Sequence, residues 1–167
     1  AAFLPFYQGW RLLDISDHDS FPVIRRKALY NKDKDEMRLI DFKPETIEGL
    51  NKDVPLKLTK ETVADYLRFY FDAVIGAFGK FQVIEAIDDI PWLEDISPQL
   101  RKAMHSKVSE VTFETMQGKD FVLKATILFK SALFDIDVTV SPKGEVSILS
   151  KDILLQDMPV HDGSLGH

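Results

Sequence analysis

Apolar residues recur every three to four positions over one stretch of the chain and every second position over most of the rest. Between 59 and 78, Val63, Tyr66, Leu67, Tyr70, Phe71, Val74, Ile75 and Phe78 fall within about half of a helix circumference, and Glu61, Asp65, Arg68 and Asp72 gather opposite. Thr59 suits the N-cap, Glu61 suits the positive end of the helix dipole, and Gly79 suits a left-handed C-terminal cap. This pattern predicts an amphipathic helix over 59–78 laid on a core.

From Lys80 onward the period falls to two. Phe81–Glu85 reads as a strand, and 88–95 as a loop around Pro91-Trp92-Leu93. Ser97-Pro98 opens a short helix that runs to about His105. Strands are expected at 107–116, 120–130, 132–141 and 144–155. Their separators are Gln117-Gly118-Lys119, Lys130-Ser131 and Pro142-Lys143-Gly144. Phe121, Leu123, Ala125, Ile127 and Phe129 alternate with Lys124, Thr126 and Lys130, as in an antiparallel sheet with one buried and one polar face. Ahead of the helix, Leu4–Ile15, Phe21–Tyr30 and Met37–Phe42 read as strands. The charged run 31–36 forms a hairpin tip, and a short helix follows at Pro44–Leu50. The whole is an α+β domain over 1–156, with a β-rich segment at 1–57, the main helix at 59–78 and an antiparallel sheet at 80–155. Residues 157–167, with Pro159, Gly163 and Gly166, are expected to be a loose tail.

A long helix followed by a curved antiparallel meander resembles the cystatin-like and NTF2-like families. The resemblance covers about 59–155 and rests on element order. It implies a sheet wrapped around the helix and, by analogy with the enzymes among NTF2-like proteins, an acid on the concave sheet face acting as a base.

Composition narrows the functional classes. The net charge of −6 argues against nucleic acid, and residues 59–167 carry all of the acidic excess. Arg25-Arg26-Lys27 is the only basic triplet, and in a strand its side chains alternate between faces. No apolar run approaches the roughly 18 residues of a membrane span. The absence of cysteine removes disulfides, thiolate metal sites and thiol nucleophiles. The expected location is cytoplasmic, with export after removal of a signal peptide left open by the Ala1-Ala2-Phe3 start.

Candidate chemistry is sparse, and no cofactor is implied. Tyr66, Phe69, Tyr70, Phe71, Phe78 and Phe81 concentrate aromatic surface, mostly as a core stripe. Phe69 projects toward the polar side of the helix, so either residues 1–57 cover it or a partner does. Tyr66, Phe69, Tyr70, Phe78 and Trp92 are therefore the candidate ligand or interface residues. Asp135 and Asp137, two apart on one strand, share a face and are the weak candidates for a general base. Asp88, Asp89 and Glu94 are weak candidates for a hard cation, without the glycine of a calcium loop. The four histidines, His18, His105, His161 and His167, lack ligand spacing. The leading expectation is a non-catalytic binding or interaction domain, whose partner is a second copy or a small apolar ligand. A small isomerase- or dehydratase-type enzyme and a structural component of an assembly are the alternatives.

Overall fold

The computed structural model describes residues 1–77 and 79–161. Among them are two antiparallel sheets and three α-helices, an α+β architecture with no closed barrel.

The first sheet has the order β1 (Ala2–Phe3), β2 (Trp10–Asp17), β3 (Ile24–Asn31) and β4 (Glu36–Ile40). The strand expected over Leu4–Ile15 is thus broken by a turn at 5–9, where Gly9 adopts φ +83. Asn31 forms the next turn by accepting the backbone N–H groups of Asp33 and Lys34 on its Oδ1, and Asp35 enters the left-handed region. Helix α1 (Pro44–Asp53) begins with Pro44, whose missing N–H costs a first turn nothing.

Helix α2 (Val63–Ala73) is shorter than the predicted 59–78. Its start is later than predicted: the helix begins at Val63 with Thr62 as N-cap, after a turn in which Thr59 and Thr62 exchange backbone-to-hydroxyl hydrogen bonds at 3.0 and 3.2 Å. Its end is earlier. Val74 is extended, and the Ile75 N–H donates to the Phe42 carbonyl at 2.8 Å, so neighbouring chain captures the backbone before the helical ladder can continue. Gly79 is not a helix cap but closes a turn with Gly76, each N–H donating to the other's carbonyl at 3.1 Å. Phe78 lies outside the described residues.

The second sheet contains β5 (Gln82–Val83), β6 (Thr112–Gln117), β7 (Asp120–Phe129), β8 (Ala132–Val140) and β9 (Val146–Leu155). Strands β5 and β6 lie along the same edge of β7, which pairs with β8, and β8 with β9. Gly118, Lys130 and Gly144, all at positive φ, mark the three turns of the β6–β9 meander. Helix α3 (Pro98–His105) starts as predicted, with the Leu100 N–H donating to Ser97 Oγ at 3.1 Å. The outer strand β9 carries two bulges, at Leu149 and Leu154, which interrupt its register against β8 and blunt an exposed edge.

Two cores form on opposite faces of this sheet. The larger gathers Phe121, Leu123, Ala125, Ile127 and Ile136 with α2, α1 and the buried aromatics Phe6, Tyr7 and Trp10. The smaller joins Leu128 and Leu133 to Ile84, Ile87, Ile90, Met104, Met158 and Val160. The expected polar face is therefore half covered. Residues 157–161, expected to begin a loose tail, contribute Met158 and Val160 to this second core. The Met158 N–H donates to the Ser131 carbonyl at 2.9 Å. Residues 162–167, the rest of that tail, lie outside the described residues. No helix among the described residues is long and apolar enough to cross a membrane.

Candidate functional site

The contact between α2 and the sheet is filled. Tyr66 is fully buried and its hydroxyl donates to the Gly144 carbonyl at 2.7 Å while accepting from Asn51 Nδ2 at 2.9 Å. Gly144 sits at φ +85, and a Cβ there would strike Asn51, the Tyr66 hydroxyl at 2.5 Å and Leu56 at 2.9 Å. Tyr7, also buried, donates to Asn51 Oδ1 at 2.5 Å. Burial pushes both phenols well above their ordinary pKa, so they act as neutral hydroxyls. Tyr66, a candidate ligand residue from the sequence, is thus enclosed in the core.

Phe69 is covered by the chain itself. Its ring lies 5.4 Å from that of Phe6, 5.7 Å from Tyr7 and 6.4 Å from Tyr66, and 7% of its surface remains exposed. This corrects its candidacy as an interface residue: with sheet on one side of α2 and residues 4–10 on another, it is the strip of Asp65, Arg68 and Asp72 that stays partly open to solvent. Tyr70 is half-buried beside Phe71. Trp92 donates its Nε1–H to the Ile87 carbonyl at 3.1 Å and pairs with Val160, which makes it a clamp on the second core.

The acidic candidates do not converge. Asp88 pairs with Arg101 at 3.0 Å, Asp89 Oδ2 accepts the backbone N–H groups of Glu85 and Ala86 at 2.9 and 3.0 Å, and Glu94 is exposed. Among the described residues no three His, Asp or Glu side chains are grouped to hold a metal, and Asp88, Asp89 and Glu94 are not brought together. Asp135 and Asp137 share the outer face of β8. Asp137 accepts from Ser150 Oγ at 2.7 Å and lies 3.7 Å from Lys124 Nζ. Neither aspartate lines the cleft formed beside α2.

That cleft, of about 1020 Å³, opens elsewhere: between the projecting β2–β3 hairpin and the surface formed by α2 and β5. Its floor is apolar, with Phe42, Phe71, Ile75, Phe81 and Val83. Phe81 is held at 6.0 Å from Phe71 and 4.9 Å from Phe129. The hairpin supplies Pro22, Val23, Ile24, Arg25 and Arg26 to the other wall. Arg25 shares a strand face with Lys27, and Lys27 reaches across to Asp72 on α2, which shows that this face of β3 looks toward the helix.

The polar groups of the cleft are mostly paired. Burial works against the charge of Asp72, but Lys27 and Lys80, the latter at 3.3 Å, hold its carboxyl below the usual range. Arg68 grips Glu85 through two bonds of 2.7 and 2.9 Å and Asp65 through one of 2.8 Å. That guanidinium, with the Val111 N–H at 3.1 Å, keeps Glu85 below its ordinary value. Arg25 is different: among the described residues it has no carboxylate within bonding distance and it is exposed. The cleft thus combines an aromatic and aliphatic floor with an unneutralised cation on its wall.

Of the cleft residues, sequence reasoning singled out only Asp89 as a site residue, and that as a weak cation candidate. The signal was present in the Arg25-Arg26-Lys27 alternation, which places Arg25 and Lys27 on one side, but only the fold brings that side over α2. The chain matches no protein-family model, and no curated protein or solved structure is significantly similar to it.

Proposed function

We propose that the chain is a non-catalytic binding domain whose ligand is a small amphipathic anion, taken into the cleft between the β2–β3 hairpin and α2. The observation that carries this reading is the pairing of an apolar floor, Phe71, Ile75, Phe81 and Val83, with the unpaired guanidinium of Arg25 on the facing wall. Binding sites for small molecules are typically concave, mostly apolar and equipped with few polar groups that set orientation. A volume of about 1020 Å³ accommodates a ligand with an aliphatic or aromatic body, and Arg25 offers a forked donor to a carboxylate, sulfonate or phosphate. The helix-on-meander order that resembles the cystatin-like and NTF2-like families is compatible with this role, but the site lies outside the helix–sheet contact those folds would suggest.

The test uses dodecanoate, measured by calorimetry and by displacement of the anionic fluorophore anilinonaphthalene sulfonate. Saturable binding in the micromolar range is expected. Arg25→Glu and Phe81→Ala should each weaken it about tenfold, and dodecanol should bind less well than dodecanoate. Non-saturable binding, or equal affinity in both variants with the fold intact by circular dichroism, overturns the reading.

A further inference from the structure

The β2–β3 hairpin is longer than the sheet that carries it. Strand β1 pairs no further along β2 than Leu12, and β4 ends opposite Lys27. Beyond that line β2 and β3 pair with each other alone, Ile15 with Arg26, Ser16 with Arg25 and Asp17 with Ile24. Residues 15–26 therefore form a two-stranded arm standing off a four-stranded base. A two-stranded ribbon without a third strand or a packed face is marginally stable by itself, and it twists more than a wider sheet.

The arm is anchored at its root. Every residue from Ile15 to Arg26 is exposed apart from the half-buried Ser20. Among the described residues, the side-chain hydrogen bonds of the arm stay within it: Asp17 accepts the Ser20 hydroxyl at 2.6 Å and the Asp19 N–H at 3.0 Å. Lys27, where β4 stops, makes the ionic contact to Asp72 on α2, with Asp14 on the neighbouring strand at 4.0 Å. The free end, in contrast, is apolar. Phe21 is fully exposed, and Val23 and Ile24 are 41% and 42% exposed. Pro22, Val23 and Ile24 line the cleft, whose floor opposite them holds the half-buried Phe42, Ile75, Phe81 and Val83. Two apolar surfaces thus face each other across the cleft, both in contact with water. Closure of the arm on an empty cleft leaves a void, whereas closure on an apolar body fills it and removes both surfaces from water.

We propose that the arm 15–26 is the lid of the cleft. It swings about the Lys27–Asp72 contact, lays Phe21, Val23 and Ile24 over the ligand and brings Arg25 onto the ligand's anionic head. This rests on the reading of the cleft as the site for an amphipathic anion, and it gives that site a moving part. A ligand shifts the arm only by as much as it prefers the closed form to the open one. The apolar body contributes through the surface that the arm buries. The head contributes because the guanidinium rides on the arm, and its ion pair strengthens as water is excluded. Closure of this kind commits the ligand and slows its escape.

The test follows Phe21, which lies outside the lining of the open cleft, so that a rigid cleft is indifferent to its replacement. Phe21→Ser should weaken dodecanoate about fivefold, through faster dissociation in stopped-flow displacement at an unchanged association rate. Being fully exposed, the position should leave the urea midpoint where it is. In Phe21→Trp, the added tryptophan emission should move to the blue on saturation with dodecanoate, and less on saturation with dodecanol. Full affinity in Phe21→Ser, or no emission shift in Phe21→Trp, overturns the lid and leaves the cleft as the site. An equal shift with dodecanol overturns the part given to Arg25. A dimer that forms in light scattering when dodecanoate is added overturns the lid by assigning the burial of Phe21 to a second copy. Absence of saturable dodecanoate binding to the parent chain overturns the lid and the cleft reading together.

Discussion

Glu85 shows how much a single residue of this chain depends on its neighbours. Its carboxylate holds Arg68 on α2 and the Val111 N–H ahead of β6, so one side chain ties the helix to the approach of a strand. Because Arg68 keeps the folded pKa below the ordinary value of roughly 4.3, the native state binds that proton less readily than the unfolded chain. The resulting stabilisation is complete above the ordinary carboxyl range and disappears as pH falls through the lower folded value. Glu85→Gln should therefore cost about 1 kcal/mol at pH 7 and nearly nothing in strong acid, where both proteins carry a neutral side chain. Urea unfolding at the two pH values measures the difference, and a cost independent of pH would mean that the charge plays no part. The spacing of Arg68 and Glu85, 17 positions apart, gives no hint of this pair in the sequence.

At the scale of elements, α2 departs most from its pattern. The apolar stripe was readable because a helix places every third or fourth residue on one side. What periodicity cannot register is a second buried side, and Phe69 occupies it, enclosed by Phe6 and Tyr7. Phe69→Ala should destabilise the protein by about 3–5 kcal/mol, the cost of deleting a buried aromatic ring, where an exposed interface residue would change it by under about 0.5 kcal/mol. Thermal and urea denaturation separate the two outcomes. The end of α2 was equally hidden: Gly79 is a credible cap on local grounds, yet the Phe42 carbonyl claims the Ile75 N–H four residues earlier.

The whole molecule is organised by a sheet with a core on each face. The second core depends on residues from three distant stretches, 84–90, Met104 and 158–160, brought against Leu128 and Leu133. Met158→Ala should lower stability by about 2–3 kcal/mol, read from the urea midpoint at constant slope, because it opens space in a packed cluster. A side chain in a loose tail would leave the midpoint unchanged.

Local chemistry in the amino-acid sequence by itself determined the α+β class, the β6–β9 meander, the turns at Gly118, Lys130 and Gly144, and the cap at Ser97. Each of these follows from side-chain period, backbone freedom or a hydroxyl within four residues of its partner, all properties of short stretches of chain. Tertiary structure decided where α2 stops, what encloses Phe69, and that Met158 and Val160 belong to a core. It also decided that Arg25 and Arg26 both reach the wall of a cleft beside α2. Those outcomes depend on which distant segments meet, and alternation along a strand states that two neighbours point apart without stating what either one will find.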